Sequence, residues 1–293
     1  MDIVMQGGLY PGTIQTAELY SKFLGVNNVI VSCWEGDNIN DADNEIIDRT
    51  DNIILLRNEK PDIVGSGNRN LQIISSKNGI NKATSDIVLK IRSDQRLYHS
   101  AFVAWREYVE KHIQEKTGLP TEGKLPKGKI FVIGMQHLYP YHPQDHIFWG
   151  YKEDVSLFFD LPLSPTNTDS SVSNAQIVTV PGPLDPSGNT AILVVNQHGE
   201  IEFTAEGGNL RTPIYLGMFY FANFYKEAKK HCENPEEYLY DSAPKYNEAM
   251  KYYEKTRDSL FKILPRIDDC LWWEKFNTGY WYDRYYSMGE RYE

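Results

Sequence analysis

A chain of 293 residues, 41% apolar and 24% charged, has the material for a packed core and the length for one large domain or a domain with a substantial addition. A formal net charge of −10 argues against binding nucleic acid across a broad basic face, and leaves room for a local basic pocket that holds a diphosphate. The three cysteines Cys33, Cys232 and Cys270 have no CxxC spacing, which argues against a disulfide framework or a structural zinc site and points to a reducing compartment.

No apolar run reaches the roughly 18 residues that a transmembrane helix needs. Met1 leads straight into Ile3-Val4-Met5, which reads as a core strand and not as a cleavable leader. The expected location is the cytoplasm, free or peripheral at a membrane surface.

Short β-like runs alternate with helical stretches in the first half. Ile3–Met5 is a strand ending at Gln6-Gly7-Gly8. Residues 13–24 form a helix, with Tyr20, Phe23 and Leu24 at 3/4 spacing and Gly25 at the position after the C-cap. Val29–Val31 is a second strand running to Trp34, and Ile53–Leu56 a third. Residues 68–82 suit a helix, and Ile87–Ile91 is a fourth strand. The alternation implies βαβ units and a mainly parallel sheet. Residues 100–116 read as a helix, Ile130–Ile133 as a strand, and Gln136–Gly150, dense in His, Tyr and Pro, as a site loop. Tyr151–Phe159 is a short helix. Residues 161–190 are rich in Ser, Thr, Asn, Gly and Pro and read as a long loop interrupted by Ile177–Val180. The last third is expected to be helical, over 213–231, from Asn234-Pro235-Glu236-Glu237, and over 245–262. It ends in an aromatic cluster with Trp272, Trp273, Trp281 and Tyr282, more simply read as packing than as a sugar or membrane contact.

In open α/β sheets, ligands bind beyond the carboxyl ends of the strands. Gln6-Gly7-Gly8, Trp34-Glu35-Gly36-Asp37, Arg57-Asn58 and Arg92-Ser93-Asp94 are therefore expected to meet. In Lys90-Ile91-Arg92-Ser93-Asp94 a carboxylate at a strand end can hold a divalent cation against a diphosphate, and the arginine can fork onto a phosphate. A surface salt bridge is the plainer alternative. Asn68-Arg69-Asn70-Leu71-Gln72 opens a helix, where backbone N–H groups favour an anion and Arg69 and Gln72 can reach one ligand; a solvated turn capped by Asn68 or Ser66 explains it as well. Gly7 and Gly8 permit close approach of a ligand to the backbone. Neither GxGxxG nor GxxxxGKS occurs, which disfavours a dinucleotide enzyme and a P-loop NTPase. His137, His142, Asp145 and His146 can form a metal site, supply a general base and acceptor contacts, or be satisfied structural groups. Glu153-Asp154 is either helix capping or a second candidate base.

Four of these segments in this order resemble the WavE-type lipopolysaccharide synthesis proteins: Gln6-Gly7-Gly8, Val31-Ser32-Cys33-Trp34-Glu35-Gly36, Asn68-Arg69-Asn70-Leu71-Gln72-Ile73 and Leu89-Lys90-Ile91-Arg92-Ser93-Asp94. The stretch His142–Asp154 is similar to that family's middle segment. The resemblance covers roughly residues 1–160; beyond them only Arg211, as an acceptor contact, and the aromatic helix after it carry over. It implies a GT-A-like glycosyltransferase, with an α/β, mainly parallel sheet flanked by helices over 1–160; the long loop and helical, aromatic-rich region over 161–293, read from the sequence pattern, is expected to pack on the same domain.

The donor implied is a nucleoside diphosphate sugar, the acceptor a glycan or glycolipid, and the setting surface polysaccharide synthesis. Gln6, Gly7 and Gly8 would line the nucleotide pocket with Asn68 and Gln72, and Trp34 and Glu35 would lie near base or ribose. Arg69, Lys90 and Arg92 would meet phosphates, and Asp94 would hold a divalent ion, Mn²⁺ or Mg²⁺, or a sugar hydroxyl. His142 and His146 would face the acceptor. Asp145 would be the base, with Asp154 or Glu153 as runner-up. The family's usual Gln-Gly-Pro is Gln6-Gly7-Gly8 here, and the usual Asp-x-Asp is Ser93-Asp94-Gln95, so Lys90, Arg92 or Arg69 could neutralise the diphosphate instead of a metal. A metal-dependent hydrolase built on His137, His142, Asp145 and His146, and a non-catalytic nucleotide- or glycan-binding module, are the alternatives.

Overall fold

Alternate residues of β1 (Asp2–Gln6) bury into opposite layers, Ile3 and Met5 into one and Val4 into the other. A strand buried on both faces belongs inside a sheet covered by helices on both sides. The structure, a computed structural model, describes residues 1–65, 68–115, 126–135, 141, 143–163, 176–181, 190–195, 201–204, 217, 220–233, 243–267, 270–273 and 278–279.

Chain order continues with α1 (Thr13–Phe23), β2 (Val29–Trp34), α2 (Asp41–Asp48), β3 (Ile53–Asn58), α3 (Arg69–Lys82), β4 (Ile87–Arg92), β5 (Gln95–Leu97), α4 (His99–His112), β6 (Ile130–Val132), β7 (Ile147–Tyr151) and α5 (Lys152–Phe158). Then come β8 (Gln176–Pro181), β9 (Thr190–Val195), β10 (Ile201–Thr204), α6 (Lys226–Glu233), α7 (Ala243–Leu260), β11 (Phe261–Ile263), β12 (Leu271–Trp273) and β13 (Thr278–Gly279). The main sheet has seven strands in the order β11-β6-β7-β4-β1-β2-β3. All its pairings are parallel except the two made by β7, with β4 and with β6. The mainly parallel α/β sheet expected from the sequence is thus the observed fold.

Period-two alternation sets both layers. Leu89 and Ile91 of β4 and Ile147 and Trp149 of β7 pack with α1 and α4, where Phe102 stacks on Trp149 with ring centroids 5.4 Å apart. Val88 and Phe148 face the other side, with Ile73 and Ile80 of α3, Val155 and Phe158 of α5, and aromatics from the C-terminal third. Close approach of α3 to the sheet needs Gly79: a Cβ there would stand 2.5 Å from Val4 Cγ1 and 3.0 Å from Ser32 Cβ. The N-terminal strand is anchored by buried Asp2. Its carboxylate accepts from the backbone N–H groups of Asn28, Thr84 and Ser85.

Several sequence expectations shift. Gly25 has φ 58, the left-handed turn that ends α1. Asn68 precedes α3, but with φ 62 and no side-chain cap bond, so it does not cap the helix as expected. Residues 147–150, placed in a loop by their His-, Tyr- and Pro-rich surroundings, form an interior strand with Tyr151, which the sequence places in the following helix. The interruption expected at Ile177–Val180 within the 161–190 loop is strand β8; what the sequence did not show is that it pairs with β9, and through it with β10, in a separate antiparallel sheet. Helix α2 was not anticipated. The helix expected over 213–231 is broken near Tyr225, and α6 begins at Lys226. The Asn234-Pro235 helix start lies outside the described residues. The C-terminal third is not only helical, since β11 completes the main sheet and β12 joins β5 and β13.

Candidate active site

Parallel strands end together, so the turns after β1, β2 and β4 share one edge of the sheet. Gln6 pairs with Ser32 on one side and Arg92 on the other. Gly7 turns the chain with φ 127, and a Cβ on it would lie 2.7 Å from Ser93 Oγ, so glycine suits both the torsion and the space. Ser93 ties the two strand exits together: its N–H donates to Gln6 O at 2.9 Å and its Oγ to Gly8 O at 2.7 Å. Asp37 does the same between the loops after β1 and β2, with Oδ2 accepting from Leu9 N at 3.1 Å and Trp34 N at 3.2 Å. Trp34 is buried beside Gly8, and Glu35 is exposed at the rim.

Antiparallel β7 brings its first residues to this same edge, because Ile147 pairs with Ile91. Asp145 and His146 therefore arrive beside the end of β4. Arg92 grips Asp94 with two parallel bonds, Nε to Oδ1 at 2.9 Å and Nη2 to Oδ2 at 2.8 Å. Its third nitrogen, Nη1, reaches Asp145 Oδ2 at a longer 3.4 Å. Gln72 Nε2, from the first turn of α3, donates to that same Oδ2 at 3.3 Å. Lys90 donates to the backbone oxygen of Asp145 at 2.9 Å, and its Nζ lies 5.4 and 5.5 Å from the ring centroids of Phe148 and Phe159. His146 is buried, with Nδ1 2.5 Å from Gln95 Nε2.

Burial and charge act in opposite directions on these groups. Burial lowers the Lys90 ammonium to about 7, and the nearby Asp145 carboxylate pulls it back up. For Arg92 burial also works against the charge, but the bonds to Asp94 and the Asp145 charge outweigh it and hold the guanidinium firmly protonated. Burial lowers His146 to about 4, so its imidazole is neutral near pH 7. The cluster thus presents one permanent cation, one cation close to neutrality and a carboxylate that is partly exposed, at the carboxyl edge of the sheet.

Gln6, Gly7, Gly8, Trp34, Gln72, Lys90, Arg92, Asp94, Asp145 and His146 therefore share one edge of the sheet. Arg69 is buried at the start of α3, with Asn68 exposed before it. Glu153 and Asp154 do not join them. They follow the far end of β7, where Tyr151 pairs with Ile87 at the opposite edge. There the buried Asp154 carboxylate accepts from Lys127 N at 3.0 Å and Gly128 N at 2.9 Å. His137, His142 and Arg211 lie outside the described residues.

The donor set around Asp94 does not fit Mn²⁺ or Mg²⁺ as arranged. Such ions want several oxygen ligands, whereas both Asp94 oxygens bind the Arg92 guanidinium, which also separates Asp94 from Asp145. Among the described residues, no group of His, Cys, Asp or Glu ligands with metal-binding spacing includes Asp94, Asp145 or His146. Gln95 was missed as a partner of His146, although its place right after Asp94 brings it to the same edge. Ser93, which has no assigned role in the sequence reading, ties the exits of β1 and β4 together.

Fold and site together define an α/β protein with a cation-rich polar cluster at the carboxyl edge of a mainly parallel sheet. The chain belongs to the WavE lipopolysaccharide synthesis family, whose model matches residues 1–180. No curated protein matches it. Among solved structures, HddC from Yersinia pseudotuberculosis is similar over 55% of this chain and 80% of its own, at 12% identity and a TM-score of 0.32. The same protein complexed with GMP-PN is similar over 55% of this chain and 80% of its own, at 14% identity and a TM-score of 0.32. A Bacillus anthracis protein designated a glucose-1-phosphate thymidylyltransferase, in complex with a sucrose, is similar over 56% of this chain and 76% of its own, at 12% identity and a TM-score of 0.32. No described helix is long and apolar enough to cross a membrane.

Proposed function

We propose that the protein is a GT-A-like glycosyltransferase that moves a sugar from a nucleoside diphosphate sugar to a hydroxyl of a glycan or glycolipid. The observation that carries this reading is the convergence of Lys90, Arg92 and Asp145 beside the Gln6-Gly7-Gly8 turn. The reaction needs positive charge on a departing diphosphate and a base for an incoming hydroxyl. In this reading the glycine turn and Trp34 receive the nucleoside, with Glu35 at the ribose. Arg92 receives the diphosphate, assisted by Arg69, Lys90 and the first turn of α3.

The unequal bonds of Arg92 suggest an order of events. Its contact with Asp145 is the longest and least favourable of its three, so an arriving phosphate competes first for Nη1. That releases the Asp145 carboxylate toward the acceptor. The acceptor oxygen then attacks the anomeric carbon as its proton passes to Asp145. The bond from that carbon to the phosphate oxygen breaks, and the nucleoside diphosphate leaves with the electron pair. No step is routed through a metal, and the guanidinium carries the charge role assigned to Mn²⁺ or Mg²⁺ in the sequence reading.

The test is a thermal-shift screen against UDP-, GDP-, CMP- and dTDP-sugars with and without Mn²⁺, followed by turnover of the Asp145→Asn variant. A ligand that binds only the folded state at 100 times its Kd raises stability by about 2.7 kcal/mol. One nucleotide family should give a shift, and Asp145→Asn should keep that shift while losing transfer by at least about a hundredfold. Near-normal turnover in the variant removes Asp145 from the mechanism. Donor binding without transfer or donor hydrolysis in the parent chain would make this a binding module.

A further inference from the structure

Away from that edge, α6 and α7 bring three ligand-bearing side chains together. Glu227 and His231 are four residues apart on α6 and so share one face of the helix. Glu248 comes from α7. One ligand atom from each of the three lies within 4.8 Å of the other two. We propose that Glu227, His231 and Glu248 form a binding site for a divalent first-row transition ion of the zinc class, which pins α6 to α7.

The histidine is the fixed point. It is fully buried, its Nδ1 lies 2.6 Å from Tyr141 Oη, and its ring packs against Tyr141 and Tyr252. In the ligating tautomer Nδ1–H donates to Tyr141 Oη and Nε2 faces the ion, the arrangement by which metal-binding histidines are oriented. Burial lowers its pKa, against the pull of Glu227 and Glu248, and a metal selects the neutral ring.

The two carboxylates are the adjustable part. Ligands at about 2.1 Å from a tetrahedral ion stand about 3.4 Å apart, so the group must close by about an ångström. Glu227 is partly and Glu248 largely exposed, which leaves them room to turn. Their present lysine neighbours, Lys230 at 2.8 Å and Lys245 at 4.0 Å, make solvent-exposed pairs of the kind that contribute little. One imidazole nitrogen with two carboxylates suits zinc and its neighbours better than the all-oxygen ions Mg²⁺ and Ca²⁺.

The site also has a route to the candidate active site. Tyr141, with φ 60, stands four positions before Asp145 in the chain, and Gln144 N donates to Gly134 O at 3.0 Å. An ion that fixes His231 therefore also stiffens the anchor of Tyr141.

The experiment uses the full chain, stripped with chelator and titrated with ZnCl2 by calorimetry, with X-ray absorption on the loaded protein. One ion per chain, a first shell of nitrogen and oxygen only, and a raised melting temperature are expected. Glu248→Gln, a change at an exposed position, should weaken zinc binding at least tenfold while leaving the metal-free melting temperature unchanged. Glu227→Gln should act in the same direction. No binding at micromolar zinc, a sulfur in the first shell, or unchanged affinity in both variants would overturn the assignment. None of these readouts depends on sugar transfer, so this site and the transferase reading stand or fall separately.

Discussion

A fully buried lysine between two phenylalanines carries a cost in this molecule. Lys90 titrates at about 7 in the folded chain because burial disfavours its charge. In an unfolded chain the same ammonium titrates near 10.4, at about the ordinary lysine value. Between those values the unfolded state holds a proton that the folded state has given up, so stability rises with pH through that window. Below about pH 7 the full cost of burying the charge is present. Lys90→Met keeps the length and removes the charge. The variant should be more stable than the parent at pH 6 by on the order of 1–4 kcal/mol, with the advantage shrinking toward pH 10. Urea melts at several pH values measure this, and a difference that does not change with pH would show that Lys90 does not titrate as described. The sequence displayed Lys90, Arg92 and Asp94 as neighbours at a strand end. It did not display which carboxylate Arg92 would bind most tightly, because the grip on Asp94 depends on side-chain directions at a turn.

Among the elements, β7 decides what belongs to the site. Its five residues span about 17 Å at the rise of a strand, so whatever precedes it and whatever follows it sit on opposite edges of the sheet. Asp145 and Asp154 look interchangeable in a linear sequence, as two acids flanking Trp149-Gly150. Once the segment between them is a strand, only Asp145 can meet Arg92. That segment reads as a loop because Pro140, Pro143 and three histidines crowd its approach, and its aromatic and β-branched content starts only at Ile147. Asp154 instead holds two backbone amides at the start of α5. Asp154→Ala leaves both amides without their acceptor and should cost about 1–3 kcal/mol of stability. Its kcat and KM for transfer should stay within a fewfold of the parent at a temperature where both are folded. A selective loss of kcat in a fully folded Asp154→Ala protein would return that residue to the chemistry.

For the molecule as a whole, the family match ends at residue 180 while the main sheet does not. Edge strand β11 pairs with β6, and Tyr220, Phe221, Phe224, Tyr253 and Phe261 fill the layer over β6 and β7. Lys262 further ties β11 to the residues after α4, with Nζ 2.7 Å from Glu115 Oε2. A fragment of residues 1–180 therefore lacks one wall of its core. It should show no cooperative thermal transition and should bind a hydrophobic dye, whereas the full chain melts in one step; a fragment with a sharp melt would show that the first 180 residues suffice. The strand–helix alternation of residues 1–92 was legible, α2 apart, because the other elements each carry their own periodicity. The role of residues 220–263 was not, since nothing local marks a three-residue strand that gains its place only by pairing far back in the chain.

That late pairing has a consequence during synthesis. Strand β6 is made well before its partner, and until β11 emerges from the ribosome its outer edge offers unpaired backbone groups to any passing strand. Contacts between such distant parts of a chain form slowly. The nascent protein therefore passes through a period of stickiness before β6 is covered, and its yield in a cell will depend on how fast translation proceeds from β6 to β11 and on what chaperone meets it meanwhile.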